Sequence, residues 1–144
     1  MRFEEGGLYR SQRSTRNSKP RWWVCLALSH ENALLASWCD AQLAGPCEQI
    51  WPSDLAVGVR FRLQKPSKIH FSGVLALSAH RFETEFDGTL EDRVNDVVLL
   101  SAISCVLDCL DGGFLEPAEI VVVRRRQESW AALLQADQRR IWTG

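Results

Sequence analysis

Stretches in which apolar and polar residues alternate predict several strands along the chain. Residues 21–28 follow Pro20 and combine aromatic with branched side chains, which is typical of a largely buried strand. Residues 57–64 alternate strictly between apolar and polar side chains, as a strand with one wet face does. Residues 69–77 and 81–86 have the composition of two further strands, so these three segments predict an antiparallel meander.

The segment 29–45 is compatible with two structures. In the first, Ser29 caps a helix that Gly45 and the following proline end. In the second, the chain turns directly after the first strand, residues 33–38 return as a strand, and residues 40–45 form a loop. Helix propensity favours the first structure, but the sequence alone leaves both open.

A long buried helix is predicted after the meander. Thr89 and Asp92 have the spacing of a capping box, and the acidic side chains of Glu91, Asp92 and Asp96 suit the positive end of a helix dipole. Residues 90–110 are apolar nearly all round toward their C-terminal half, so this helix must be covered on more than one side.

The C-terminal region predicts a last strand and a short helix. Residues 118–123 are rich in valine and run into the arginines 124–126, which we interpret as a solvated strand end. Ser129 then caps a helix that reaches Ile141. The predicted fold class is α+β, with an antiparallel sheet or small β-barrel meander, a long buried helix and a C-terminal strand–helix extension.

Length and composition predict one ordinary globular domain. The chain has 144 residues, of which 46% are hydrophobic and 24% charged, values that exclude a disordered or collagen-like chain. The apolar run 97–107 is too short to span a bilayer, and the N-terminus lacks the apolar segment of a signal peptide, so we expect a cytoplasmic protein. Five cysteines without a CxxC pair fit a reducing compartment.

The chemistry-bearing residues do not form a catalytic or metal-binding pattern. His30, His70 and His80 lie far apart, and no motif of hydrolases, metalloproteases or nucleotide-binding loops surrounds them. Cys105 and Cys109 lie four residues apart in an apolar stretch, where buried packing is their expected role. The sequence predicts no catalytic residues, no metal site and no cofactor, and therefore a protein that is not an enzyme.

Charge is distributed unevenly along a chain whose formal net charge is −1. Residues 2–21 hold six basic residues against two glutamates, a charge of +4, which leaves −5 for the remainder. Residues 1–21 are therefore predicted to form a flexible basic arm, and residues 22–144 a single α+β domain. The near-neutral total gives no reason to expect a nucleic-acid or membrane partner, so any anion would bind at a local patch.

Arg10, Arg13 and Arg16 precede the first predicted strand, and residues 40–45, with the sequence DAQLAG, follow it ahead of the meander and the acidic helix start. This order resembles the PilZ family of bacterial cyclic di-GMP receptors. That family has an RxxxR arm ahead of a six-stranded barrel and a D/NxSxxG loop on the barrel surface. Here the arginines of the arm are spaced three apart, and the loop has glutamine where the family has serine. The resemblance implies that arginine guanidinium groups bind the phosphates and guanine bases of the dinucleotide bidentately, and that the glycine of the loop lets its backbone approach a base. The ligand-binding residues it implies are Arg10, Arg13, Arg16, Asp40, Gln42 and Gly45.

The sequence therefore predicts a non-enzymatic bacterial binding or regulatory domain for cyclic di-GMP or another anionic ligand. The alternative is an orphan α+β protein that acts through protein–protein contacts, of an accessory or immunity type. Six tryptophans and an odd cysteine count are compatible with a homodimer in that alternative.

Overall fold

The computed structural model describes residues 2–12, 21–29, 32–42, 49–70, 76–109 and 117–143. The strands are β1 (Gly7–Ser11), β2 (Arg21–Ser29), β3 (Asn32–Asp40), β4 (Ser67–His70), β5 (Ala76–Ser78) and β6 (Gly88–Arg93). The helices are α1 (Ala79–Phe86), α2 (Asp96–Asp108) and α3 (Pro117–Thr143).

The strands form one open antiparallel sheet in the order β4-β3-β2-β1-β6. β5 also pairs with β3, alongside its first residues, whereas β4 pairs with its last residues. The predicted α+β class with an antiparallel sheet is confirmed. The strand predicted over 21–28 is β2, and β3 shows that the second of the two structures for 29–45 is right as far as Asp40.

Side chains of the central strands alternate between the two faces of this sheet, as the pleat requires. Leu8 and Arg10 point to one face, which we call the helix face because α2 and α3 cover it. Tyr9 and Ser11 point to the opposite face. Both faces of β2 and β3 carry apolar residues, which explains why neither strand has a continuous wet side.

The helix face holds the larger core. The segment 49–66 crosses this face, and it is tied to β4 by two backbone hydrogen bonds between Trp51 and Ser67, of 2.7 and 2.9 Å. α2 begins at Asp96 after the side chain of Asn95 caps it by accepting from the Val98 N–H at 2.8 Å. The buried residues of this core include Leu8, Val24, Leu34, Val57, Leu63, Ile69, Leu99, Ile103 and Val123.

The opposite face holds a smaller aromatic core. The rings of Phe3, Tyr9 and Phe82 meet with centroid distances of 5.1 to 6.0 Å. Phe82 lies on α1 and is fully buried, and Gly88 at the start of β6 lies directly against its ring. α1 thereby closes a face that would otherwise expose these aromatic side chains.

Two predicted strands of the meander are wrong. Residues 57–64 form no strand but an irregular crossing segment with only isolated bridges, because a turn at 57–61 directs the chain back on itself. Residues 81–86 belong to helix α1, where Arg81 and Glu85 form an ion pair one turn apart at 3.0 Å. Of the predicted strand 69–77, residues 69–70 and 76–77 lie in β4 and β5, and 71–75 lie outside the described residues.

Two helix predictions also need correction. The buried helix begins at Asp96 and not near residue 90, because residues 88–93 pair with β1 as strand β6. Residues 118–123 form the first turns of α3 and not a strand, so the predicted strand–helix extension is one 27-residue helix. The helix is fixed by packing against α2, where the Gln127 side chain donates to the Ser104 hydroxyl at 3.0 Å.

The predicted flexible arm is wrong for Gly7–Ser11, which form β1 between β2 and β6. Hydrogen bonds to both neighbouring strands and the burial of Leu8 and Tyr9 hold this segment in the sheet. Residues 13–20 lie outside the described residues. None of the described helices combines the length and the apolar character that a membrane span needs.

Candidate functional site

The candidate site lies on the helix face of β1 and β2, where an arginine and two aromatic rings meet. Arg10 and Trp22 are directly paired across the two strands. The guanidinium carbon of Arg10 lies 5.6 Å from the centroid of the Trp22 ring, within the range of a cation–π contact. Phe61, from the crossing segment, stacks on Trp22 with a centroid distance of 4.3 Å and an interplanar angle of 29°.

These residues border an open cavity of about 610 Å³, which we call the Arg10 groove. This volume is within the range of small-molecule sites. The wall opposite β1 comes from the crossing segment, which contributes two further arginines. The residues that line the groove are Arg10, Trp22, Ser53, Asp54, Arg60, Phe61, Arg62, Leu63 and Gln64.

The arginines give the groove a positive charge. The Arg10 Nε atom is buried and has no hydrogen-bond partner among the described residues, and no described carboxylate pairs with its guanidinium. Arg62 donates to the backbone carbonyl of Asp54 at 3.1 Å. Among the described residues that line the groove, Asp54 is the one acidic residue, against three arginines. The net charge of the lining therefore favours an anion.

A single carboxylate fixes the wall that carries Arg60 and Phe61. Asp92 on β6 accepts from the backbone N–H groups of Arg60 at 2.7 Å and Phe61 at 2.8 Å with one oxygen, and from that of Val59 at 3.2 Å with the other. Partial burial by itself acts to raise the pKa of Asp92. The N–H donors outweigh burial, so this pKa lies below its usual value and the carboxylate stays charged.

A second, smaller hollow shares Trp22, Arg60 and Phe61 with the Arg10 groove. It has a volume of about 240 Å³ and is lined by Trp22, Arg60, Phe61, Glu91 and Asp92. Its lining contains two carboxylates, whereas the lining of the Arg10 groove contains one. The two hollows therefore share the stacked rings and Arg60, and among the described residues the smaller hollow has the more acidic lining.

Three of the six ligand-binding residues predicted from the sequence are described, namely Arg10, Asp40 and Gln42, and of these Arg10 lines the groove. Asp40 ends β3 and pairs with Lys65 at 3.1 Å, and the backbone N–H of Gln42 donates to its carboxylate at 3.0 Å. The Gln42 N–H and then Lys65 hold the pKa of Asp40 below its usual value. Because β2 lies between β1 and β3, these two residues are separated from Arg10.

The other three predicted ligand-binding residues, Arg13, Arg16 and Gly45, lie outside the described residues. The arginines 124–126 lie on α3 and away from the groove lining. Arg126 pairs with Glu5 through two contacts of 2.6 and 2.8 Å, and Arg124 and Arg125 are exposed.

Sequence reasoning missed Trp22, Arg60, Phe61 and Arg62 as site residues. The signal was present in the triplet Arg60-Phe61-Arg62, where an aromatic ring lies between two guanidinium groups. In the sequence, the same triplet also fits the polar–apolar alternation of a strand with one wet face, which is the structure predicted for residues 57–64. In the irregular crossing segment, the same triplet instead brings all three residues to the groove.

The described residues offer little other chemistry. No group of three His, Cys, Asp or Glu residues within the described ranges could hold a metal ion. His80 is exposed on α1. Burial raises the pKa of Cys25 to about 12, so this thiol stays protonated and unreactive at neutral pH.

Comparisons of the chain with models of protein families, with curated proteins and with solved structures find no match. The functional assignment of this protein therefore rests on the geometry and charge of the Arg10 groove.

Proposed function

We propose that this chain is a non-enzymatic binding domain that holds an anionic ligand in the Arg10 groove. The observation that carries the proposal is the guanidinium of Arg10, which lies over Trp22 with its Nε atom buried and without a hydrogen-bond acceptor among the described residues. A buried donor left without an acceptor costs about 1–3 kcal/mol. A ligand oxygen that accepts from Arg10 would recover this free energy, so the groove is suited to an anion.

The shape of the groove further favours an anion that carries a planar ring. Trp22 and Phe61 are only half-buried, and both line the cavity, so a flat group can contact their exposed surface. Arg60 and Arg62 lie on the same wall as Phe61 and can reach phosphate oxygens with planar, forked donors. Cyclic di-GMP, the ligand that the PilZ resemblance implies, combines phosphates with planar bases and is the first ligand to test.

Isothermal titration with cyclic di-GMP tests the proposal. We expect the wild-type protein to bind and Arg10→Ala to bind at least about tenfold more weakly, since one charge-assisted hydrogen bond contributes about 1.5–3 kcal/mol. Arg10→Lys keeps the charge but loses the fork, so its affinity should lie between the two. Arg124→Ala removes an exposed arginine outside the groove and is the matched control.

Two results would overturn this function. One is the absence of heat for cyclic di-GMP, and also for GMP and pyrophosphate, with wild-type protein at high concentration. The other is equal affinity of Arg10→Ala and wild type, with both proteins folded by circular dichroism. Loss of binding in Arg13→Ala or Arg16→Ala would add the rest of the predicted arginine arm to the site.

The alternative, in which the protein acts through protein contacts as a homodimer, stays a prediction. Light scattering of the purified full chain tests it, and a monomer across the accessible concentration range contradicts it.

A further inference from the structure

The strongest arrangement outside the groove lining itself is the carboxylate of Asp92 in a cradle of backbone N–H groups. The consecutive N–H groups of Val59, Arg60 and Phe61 converge on it, and the N–H of Arg93 donates to it at 2.8 Å. Successive N–H groups that point into one concavity form a binding site for an anion. In this protein the anion is a side chain located 31 to 33 residues further along the chain.

A β-bulge puts Asp92 on the face where this cradle lies. Leu90 pairs with Tyr9 and Asp92 pairs with Leu8, so Glu91 is the extra residue of β6. In a regular ladder that continued from Leu90, Asp92 would lie on the face of Tyr9, away from the crossing segment. The bulge instead directs it to the helix face, which Leu8 and Arg10 share.

The close approach of the crossing segment to Asp92 also depends on Gly58. A Cβ atom at this position would lie 2.5 Å from the Asp92 Oδ2 atom and 2.8 Å from the Arg93 carbonyl oxygen. The second contact is with backbone, which cannot move aside as a flexible side chain can. Gly58 therefore permits the carboxylate to reach the three N–H groups that follow it in sequence.

We propose that Asp92 is the positioning residue of the Arg10 groove, since its carboxylate holds Arg60 and Phe61 in the places where they line the ligand site. The part that concerns ligand affinity rests on the proposed function. Phe61 stacks on Trp22 at 4.3 Å, and the N–H of Phe61 is one of the groups that Asp92 holds. Removal of the Asp92 carboxylate should therefore loosen Phe61 and Arg60 together.

The chemistry of the cradle requires a carboxylate. Each oxygen of Asp92 accepts from two N–H groups, with Val59 and Arg93 on Oδ1 and Arg60 and Phe61 on Oδ2. An asparagine at this position would direct an NH2 group at one of these two pairs of donors. Asp92→Asn should therefore fail to replace the carboxylate although it matches its size.

Amide hydrogen exchange measured by NMR on the ligand-free protein tests the positioning directly. In Asp92→Ala, exchange at residues 59–61 should become at least about tenfold faster, the factor expected for the loss of one net hydrogen bond of about 1.4 kcal/mol. Sodium formate should restore slow exchange, because formate can occupy the vacated cradle, whereas sodium chloride at equal ionic strength should not. Glu128→Ala is the matched control, since it removes an exposed carboxylate on α3 that lies outside the cradle and outside β6.

Titration of the same variants with cyclic di-GMP tests the consequence for the groove. Asp92→Ala should bind about tenfold more weakly than wild type, Glu128→Ala should bind as wild type does, and formate should restore part of the affinity of Asp92→Ala. If Asp92→Ala does not fold, Asp92→Asn is measured in its place with the same expected losses.

The outcomes separate the two proposals. Unchanged exchange at 59–61 in the Asp92 variant overturns the positioning role, and so does faster exchange with unchanged affinity. If wild type binds no anion, the proposed function fails, and hydrogen exchange with formate rescue still decides whether Asp92 holds this wall.

Discussion

The contact between Gly88 and Phe82 provides a sharp test of how α1 packs on the sheet. A Cβ atom at Gly88 would lie 2.0 and 2.1 Å from two carbon atoms of the Phe82 ring. Non-bonded carbon atoms need about 3.5–4.0 Å, so Gly88→Ala requires the ring to retreat by about 1.5 Å or more. The ring is fully buried and has little room to do so, because the rings of Phe3 and Tyr9 pack beside it.

The expected cost follows from overpacking a closed core. Extra methyl groups in a well-packed interior cost about 1–3 kcal/mol, and the severity of this overlap favours the upper end, about 3 kcal/mol. For a chain of this length, such a loss lowers Tm by about 9 °C. Urea denaturation followed by tryptophan fluorescence at 25 °C measures the free energy of unfolding, with Trp23 of the same cluster as one of the reporters.

A double-mutant cycle identifies the cause of the loss. Phe82→Ala alone should cost about 3–5 kcal/mol, because it leaves a cavity. In that background Gly88→Ala should cost little, since its methyl group enters the vacated space. A cost for Gly88→Ala below about 0.5 kcal/mol, or the same cost with and without the Phe82 ring, would refute this packing. Such a result would also reopen the prediction that residues 81–86 form a strand.

Three further predictions concern ionisation and ion pairing. Burial raises the pKa of Tyr9 from 10.0 to about 12, so absorbance titration of the single tyrosine at 295 nm should have its midpoint near pH 12 in the folded protein. The free energy of unfolding should fall above pH 10, because there only the unfolded state releases the proton. A midpoint near pH 10 contradicts this. Asp92→Ala should lower stability by about 2 kcal/mol at pH 7. The difference should stay constant down to about pH 4, the unfolded pKa, and should shrink as pH falls further, because the folded pKa of Asp92 is lower and the stability it gives is lost as pH falls through that value. A difference in urea titrations that does not shrink below about pH 4 contradicts it. Arg126→Ala should lower the free energy of unfolding, measured by urea denaturation, by about 1.5 kcal/mol. The loss is smaller than for a fully buried pair because Arg126 is 42% exposed, and it is larger than for a surface pair because the Glu5 carboxylate that loses its partner is only 13% exposed. An unchanged unfolding midpoint would show that this ion pair contributes nothing.

The sequence by itself determined the strands whose side chains fit only a sheet. β2 could be predicted because its aromatic and branched residues are disfavoured in a helix and pack well on a pleated surface. The α+β class and a buried helix within 90–110 followed from hydrophobic periodicity in the same way. Arg10 could be singled out as a candidate site residue only through the PilZ resemblance, as an arginine of the basic segment ahead of that strand.

Tertiary contacts decided the segments whose local preference was weak or misleading. The valines of α3 favour a strand by propensity, but packing against α2 stabilises a helix, and helix propensities differ by less than about 1 kcal/mol per residue. The alternation over 81–86 is equally compatible with a short helix that buries Phe82 and exposes its polar residues. Local sequence does not determine which of these structures forms, because the residues that pack against the segment and stabilise one structure are distant in the chain.

The groove shows the same division at the level of single residues. Asp92 has the spacing of a helix cap in the sequence, yet a one-residue bulge in β6 directs its carboxylate to a turn 31 residues earlier. β6 is exposed over most of its length, so its own apolar pattern does not set its register against β1, and no pattern around Asp92 reveals the bulge. The sequence supplied the arginines and aromatic rings of this protein, and only the paired strands and the crossing segment determined which of them share one site.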